Sequence, residues 1–323
     1  MKRNTIVITG ISSFIGINLL EFMSNIGYNV VGTISKNLNE YSGISRSRIE
    51  YALSKNVELK KLNLLLSAEI TEFVGTVKPE YWIHHAGWAS NYGSLNYDLK
   101  IAHDINVLSL EPLFRSFKQI NGFKGIVITG SSTEYSNTDL ACNEEDACYP
   151  ETPYGLSKLT ETIRAMQLSY YYNIPTRIAR VFIPYGRFDN PAKLIPSVVN
   201  SLMLGQKIEL TECEQERDFI FIPKLLDGYG KLLDNILYTQ KVFDIFNLCS
   251  GNPVKLKNLL LEIARIMNVD DKLLDFGKKQ MRIGEPLRSY GSSKKAEMQL
   301  NWKSNPINED LRKYILNYKK ANI

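Results

Sequence analysis

The chain has 323 residues, of which 44% are hydrophobic and 23% charged, an ordinary balance for a globular protein with one large domain or two moderate ones. Its net charge of +5 is mild, with Lys and Arg scattered rather than gathered in a basic tail, so no nucleic-acid partner is expected and an anionic small molecule suffices. No stretch reaches the roughly 18 uninterrupted apolar residues of a membrane helix, and Cys142, Cys148, Cys213 and Cys249 form no CxxC pair and lie apart from His84, His85 and His103, so no membrane partner, no metal and reduced cytoplasmic thiols are expected.

The β-branched run TIVIT (5–9) reads as a buried parallel strand. A Gly/Ser turn and a helix to about residue 24 follow it. YNVVGTI (28–34) is the second strand and VELKKLNL (57–64) the third. A helix over 67–77 leads to a fourth strand, YWIHHAG (81–87). The spacing then predicts one long helix over 98–119, a fifth strand at 125–132, a long helix over 152–173 and a sixth strand at 175–182. Strands alternating with helices imply an α/β fold with a Rossmann-like, doubly wound parallel sheet. After residue 183 the rhythm breaks into shorter helices at 192–204, 224–238 and 255–267, with FDIFNLC (243–249) as a strand able to return to the first sheet. Residues 1–182 therefore read as a dinucleotide-binding domain and 183–323 as mainly a smaller mixed α/β substrate domain.

TGISSFIG (9–16) lies between the first strand and first helix, where a dinucleotide pyrophosphate binds. Gly10 permits a tight turn and Gly16 close helix–sheet packing, while Ser13 replaces the middle glycine of the usual three. Gly10, Ser12, Ser13, Phe14, Ile15 and Gly16 are the candidate contacts. Alone the motif is weak, and a ligand-free βα turn is the bland alternative. At the end of the second strand, where an acid would bind NAD ribose, VVGTISK presents Ser35 and Lys36. A hydroxyl and an ammonium favour the 2′-phosphate of NADP through charge-assisted hydrogen bonds. NADPH is thus expected over NAD.

YGLSK sets Tyr154 and Lys158 four apart on one helix face. A nearby ammonium stabilises a phenolate and makes tyrosine usable as a general acid or base. Ser131, at the end of the fifth strand, is placed to bond the same substrate oxygen. A surface i,i+4 contact is the plain alternative, and the position after the fifth strand argues against it.

Taken together, TGISSFIG, HHAG (84–87), Asn106, GSSTEYS (130–136), YGLSK, RVFIPYG (180–186), ERDFIFI (216–222) and RIGEP…SKKAEMQLNW (282–302) resemble the extended short-chain dehydrogenase/reductases of the nucleotide-sugar epimerase/dehydratase/reductase group. The resemblance implies that Tyr154 moves the proton, that Lys158 binds the nicotinamide ribose and tunes Tyr154, and that Ser131 orients the carbonyl. It implies cofactor contacts at Ala86, Gly87 and Phe182, and at Asn63 and Leu64, where an Asp-Leu pair is usual. Arg217 and Arg282 match diphosphate- and ribose-contacting arginines. Trp88 and Ser90 stand beside the sugar. Ile183 replaces a usual asparagine, and Ser132 and Thr133 occupy the Asp-Glu positions of a dehydratase. The resemblance therefore implies reduction of a nucleotide-linked 4-keto-deoxysugar for surface polysaccharides. An NAD-dependent 4-epimerase is the alternative, and a non-catalytic NADP sensor a weaker one. By analogy the chain forms a homodimer through its two long helices.

Overall fold

The computed structural model describes residues 3–55, 57–281 and 285–321. In the first half, short apolar runs form strands and the intervening segments form helices: β1 (Thr5–Ile8), α1 (Phe14–Asn25), β2 (Asn29–Ile34), α2 (Gly43–Ser54), β3 (Glu58–Lys61), α3 (Ser67–Val77), β4 (Tyr81–His84), α4 (Leu99–Ala102), α5 (Leu110–Lys118), β5 (Gly125–Ser131), α6 (Pro153–Tyr172) and β6 (Thr176–Val181). β1 and β4–β6 are buried along most of their length, as a sheet covered on both faces requires.

The second half contributes β7 (Ile183–Tyr185), α7 (Leu194–Met203), β8 (Ile208–Glu209), β9 (Glu216–Arg217), β10 (Phe219–Phe221), α8 (Ile222–Tyr238), β11 (Phe243–Leu248), β12 (Val254–Lys255), α9 (Leu256–Met267), β13 (Leu274–Asp275), β14 (Arg288–Ser289), α10 (Lys294–Leu300) and α11 (Ile307–Ala321). The central sheet has seven parallel strands in the order β11-β6-β5-β4-β1-β2-β3. The chain builds outward from β1 in one direction through β2 and β3, and in the other through β4. The crevice beyond the carboxyl ends of β1 and β4 is thus the switch point at which such sheets bind ligands. The strand expected at 243–249 does return to this sheet, pairing Phe243 with Thr176.

The long helix expected over 98–119 is interrupted. A π turn at His103–Leu108 separates α4 from α5. It carries Asn106, whose Oδ1 accepts the Trp88 N–H (2.8 Å) and whose Nδ2 donates to Ser157 Oγ (2.9 Å). The hydrophobic spacing is close to helical on both sides, so the pattern did not reveal the wider turn. The two- and three-residue strands after β6 were also not anticipated, because they are too short to show a period of two.

The helices α7, α9 and α11 bury their apolar faces in a separate cluster that includes Val198, Leu260, Ile263 and Leu311. Asp218 joins this half to the sheet. It is fully buried; its Oδ1 accepts the Ser250 N–H (2.8 Å) and hydroxyl (2.6 Å), and its Oδ2 accepts the N–H groups of Gly251 (3.0 Å) and Gly291 (3.3 Å). The carboxylate thereby pins the loop beyond β11 beside β10. Asp218→Ala strands four donors around a void and should destabilise the fold by about 3 kcal/mol, read as a lowered denaturant midpoint at unchanged slope.

Candidate active site

The site begins at the turn after β1. Gly10 has φ +78°, and a Cβ there would meet Ala86 Cα at 3.0 Å. A Cβ on Gly16 would collide with the Gly10 carbonyl oxygen. Ser13, in place of the middle glycine, caps α1: its Oγ accepts the Gly16 N–H at 2.9 Å. No acid stands in the first turn of α1, so its positive dipole end is unopposed. Beside it, Thr9 Oγ1 accepts the N–H groups of His85 and Ala86, both at 2.9 Å, and holds the chain leaving β4 against the turn.

A cavity of roughly 340 Å³ extends from this turn across the ends of the strands. Gly10, Ser12 and Ser13 form its middle; Thr33, Ile34, Ser35, Leu62, Asn63 and Leu64 form one end; and His85 to Ala89, Ile105, Thr129, Gly130, Tyr154 and Lys158 form the other. No Asp or Glu is among these described lining residues. At the first end the Tyr41 hydroxyl accepts the N–H groups of Ser35 (3.1 Å) and Lys36 (3.2 Å) and lies 3.4 Å from Ser35 Oγ. Asn63 Oδ1 is committed to the Leu65 N–H (3.1 Å).

At the other end α6 delivers the Tyr/Lys pair. Thr152 Oγ1 caps the helix through the Gly155 N–H (3.0 Å), and Pro153 begins it. Gly155 packs so closely on the Thr133 carbonyl that no Cβ fits. The rings of Tyr92 and Tyr97 flank Tyr154 at 5.6 and 5.8 Å. Burial raises the Tyr154 phenol above its ordinary value; Lys158 pulls it down and Glu161 pushes it up. Burial opposes the Lys158 charge, but Glu161 and Tyr154 more than restore it, so its pKa is raised. Lys158 Nζ is in an ion pair with Glu161.

Of the residues expected to face a cofactor, the cavity wall contains Gly10, Ser12, Ser13, Ser35, Asn63, Leu64, Ala86, Gly87, Tyr154 and Lys158; of the sugar-facing set it contains Trp88. Phe14, Ile15 and Gly16 are buried behind the turn, and Lys36 is exposed beside the wall. Phe182 is 3% exposed and packs with Tyr135, Cys142 and Cys249 instead. Ser131 stands outside the wall, its Oγ 2.8 Å from Thr133 Oγ1. Ser132 is half-buried, and Ser90 and Thr133 are exposed. Ile183 is in β7, paired with Phe219. The Arg217 guanidinium bonds Glu285 Oε1 (2.8 Å) and the Glu216 carbonyl (2.9 Å). Arg282 lies outside the described residues. Sequence reasoning missed Thr9, His85, Tyr92, Tyr97 and Thr129, whose roles arise from contacts distant in sequence, and Tyr41, whose turn back over Ser35 and Lys36 follows no helix or strand period. It also missed Glu161, which stands seven residues beyond Tyr154 and so was visible as the next position of the same helix face.

A parallel sheet whose switch point carries a tight glycine turn, with one cavity running from that turn to a half-buried Tyr154 and a buried Lys158, is the architecture of a dinucleotide-dependent oxidoreductase. The sequence profile of the NAD dependent epimerase/dehydratase family matches residues 6–249, and the chain belongs to that family. It is accordingly an enzyme of the NAD(P)-dependent oxidoreductase type. UDP-glucuronate 4-epimerase of Thermodesulfobacterium geofontis is 24% identical over 98% of this chain and 96% of its own. The dTDP-4-dehydro-6-deoxyglucose reductase of Escherichia coli is 30% identical over 46% of this chain and 47% of its own. Among solved structures, UDP-glucuronic acid 4-epimerase of Bacillus cereus, in complex with a UDP-sugar derivative and NAD, superposes with a TM-score of 0.83 at 19% identity, covering 99% of this chain and 100% of the other. Among the described residues no helix is long and apolar enough to cross a membrane, and no cluster of three or more His, Cys, Asp or Glu is arranged to hold a metal.

His84, next to the Lys158 end of the cavity, supplies a pH test. It is 1% exposed; Nδ1 accepts the Trp82 indole N–H (3.4 Å) and Nε2 has no partner. Burial, aided by the charge of Lys158, pushes its pKa down to about 3. The folded value lies below the unfolded one of about 6.5, so the folded state resists protonation. Its stability contribution is full above pH ~6.5 and is lost as pH falls towards ~3, with a slope approaching about 1.4 kcal/mol per pH unit. Thermal unfolding followed over this range should show that decline, and His84→Gln should lessen it, the remainder coming from His85, which burial also pushes down to about 3.

Proposed function

We propose that this enzyme uses NADPH to reduce a nucleotide-linked 4-keto-deoxysugar, a step in making sugar nucleotides for surface polysaccharides. The observation that carries the reading is the acid-free cavity wall, and above all its Ser35 end. A carboxylate there would repel a ribose 2′-phosphate. Instead this end carries the Ser35 hydroxyl and the Tyr41 hydroxyl, 3.4 Å apart, with the Tyr41 oxygen held by the N–H groups of Ser35 and Lys36, and the exposed Lys36 follows next in the chain. The glycine turn fits the pyrophosphate of the same cofactor, because a Cβ at either Gly10 or Gly16 would crowd the cradle.

Reduction requires a hydride at the carbonyl carbon and a proton on its oxygen. The bound dinucleotide supplies the hydride. Tyr154 gives its proton to the oxygen, and Lys158 stabilises the phenolate left behind until solvent returns the proton. Glu134 is fully buried and bonded to Arg180 Nε (2.9 Å), Thr162 Oγ1 (3.0 Å) and the Ser131 N–H (2.8 Å), so it is unavailable for the extra acid/base chemistry of a dehydratase. Residues 183–323 would hold most of the nucleotide diphosphate. Epimerisation is the second reading, supported by whole-length similarity to a UDP-glucuronate 4-epimerase.

Titration with NADPH and NADH, followed by nicotinamide fluorescence, separates the two readings. A reductase should prefer NADPH by at least about tenfold, and Ser35→Asp should reverse that preference. Protein that carries tightly bound NAD and interconverts 4-hydroxy sugar nucleotides without added reductant would sink the reductase reading. Tyr154→Phe should lower kcat for the keto sugar by about 10²–10⁴-fold while cofactor binding persists, since only the proton donor is removed.

A further inference from the structure

Tyr154, Lys158 and Glu161 stand at i, i+4 and i+7 on α6 and therefore share one face. A Tyr/Lys pair explains the first two. The third is a carboxylate, 1% exposed and outside the cavity wall. Its Oε2 binds Lys158 Nζ, and its Oε1 is buried with no donor. The neighbouring buried acid, Glu134, differs: it is neutralised by Arg180 and bonded by two further donors. The uncompensated part of the Glu161 charge is thus turned on Lys158.

We propose that Glu161 is a positioning residue for Tyr154: by holding Lys158 in a buried ion pair, it offsets the lysine's charge, so that Tyr154 keeps its proton and enters the reaction as a donor. The direction of that benefit rests on the reductase reading; the geometry does not. A lone ammonium beside a phenol favours the phenolate, whereas an ammonium bound to a carboxylate presents a dipole whose effect falls off faster with distance. In reduction the proton leaves tyrosine for the sugar oxygen. Oxidation of an alcohol, the first half of epimerisation, needs tyrosine to take one instead.

The other charged and titratable groups around this face do not replace Glu161. His84 and His85, at the end of β4, are pushed down to about 3 by burial and stay neutral. Glu134 is matched by Arg180 on β6. Tyr97 and Tyr229, from the loop before α4 and from α8, are both raised by burial and carry no charge near neutrality. Glu161 itself is pushed up to about 7, burial outweighing the pull of Lys158. It is therefore ionised across the alkaline range in which Tyr154 would otherwise lose its proton.

The test is ultraviolet titration of tyrosinate in the protein without cofactor or sugar, with the Tyr154→Phe curve subtracted to isolate Tyr154. The midpoint should lie above the ordinary value of about 10. Glu161→Gln should lower it by about one unit or more, a tenfold rise in phenolate at a given pH, while Glu161→Asp, which keeps the charge, stays nearer to the wild type. A wild-type midpoint below ~10, or no shift in the Gln variant, overturns the proposal. If the Gln variant does not fold, the near-isosteric, neutral Glu161→Met is titrated in its place and should lower the midpoint likewise. A midpoint that shifts as expected in an enzyme that reduces no keto sugar leaves the positioning role standing and removes the reductase reading; reduction with an unshifted midpoint does the reverse.

Discussion

The buried Glu134–Arg180 pair is the contact on which the reactive end of the molecule depends. Glu134 sits one turn past β5, Arg180 on β6, and Thr162, which also bonds Glu134, on α6. The Ser131 N–H completes the set. Burying two charges has a desolvation cost that their attraction barely repays, so the pair contributes register more than stability. It ties two strands and a helix at one point, and Tyr154 and Lys158 are on that helix. Tyr135 lies over the guanidinium at 4.5 Å and donates its own hydroxyl to Asn247 on β11, which extends the brace to the edge of the sheet.

The opposite end of the cavity is organised by backbone rather than charge. A glycine turn, a capped helix and the threonine hydroxyl of Thr9 leave an anion-friendly hollow without a cation at its centre. Ser13 shows how a departure from the usual glycine pattern is absorbed: its hydroxyl satisfies a helix N–H, so the missing glycine becomes a cap. Between the two ends, the π turn carrying Asn106 holds the Trp88 segment to Ser157 on α6. The cavity is therefore one continuous wall built from seven separate parts of the chain.

Charge within the reactive end is arranged sparingly. The buried His84 and the half-buried His85 are neutral, one acid is neutralised by an arginine, and the remaining acid faces the lysine. Lys158 then carries the electrostatics of Tyr154, and whatever engages Lys158 tunes the tyrosine. A sheet that buries its strands on both faces makes this possible, since water does not screen the contacts.

The sequence by itself determined the alternation of strands and helices, the parallel sheet, the glycine turn and the Tyr/Lys spacing. All of these are local: a period of two or of 3.6, a residue without a Cβ, four positions on one helix face. The family resemblance was legible for the same reason, because its motifs are short and ordered along the chain. Only the tertiary structure decided which polar groups remain available. Arg217 looks like a diphosphate clamp in sequence but bonds Glu285, and Ser131 looks like a substrate contact but bonds Thr133. Phe182 turns into a small cluster, and Tyr41 reaches back over Ser35 and Lys36. The π turn was hidden because one extra residue barely disturbs a helical pattern. The partners of Arg217 and Phe182 lie far along the chain, those of Ser131 and Tyr41 lie near but outside any helix or strand period, and a side chain's chemistry is free to act only after its partners are known.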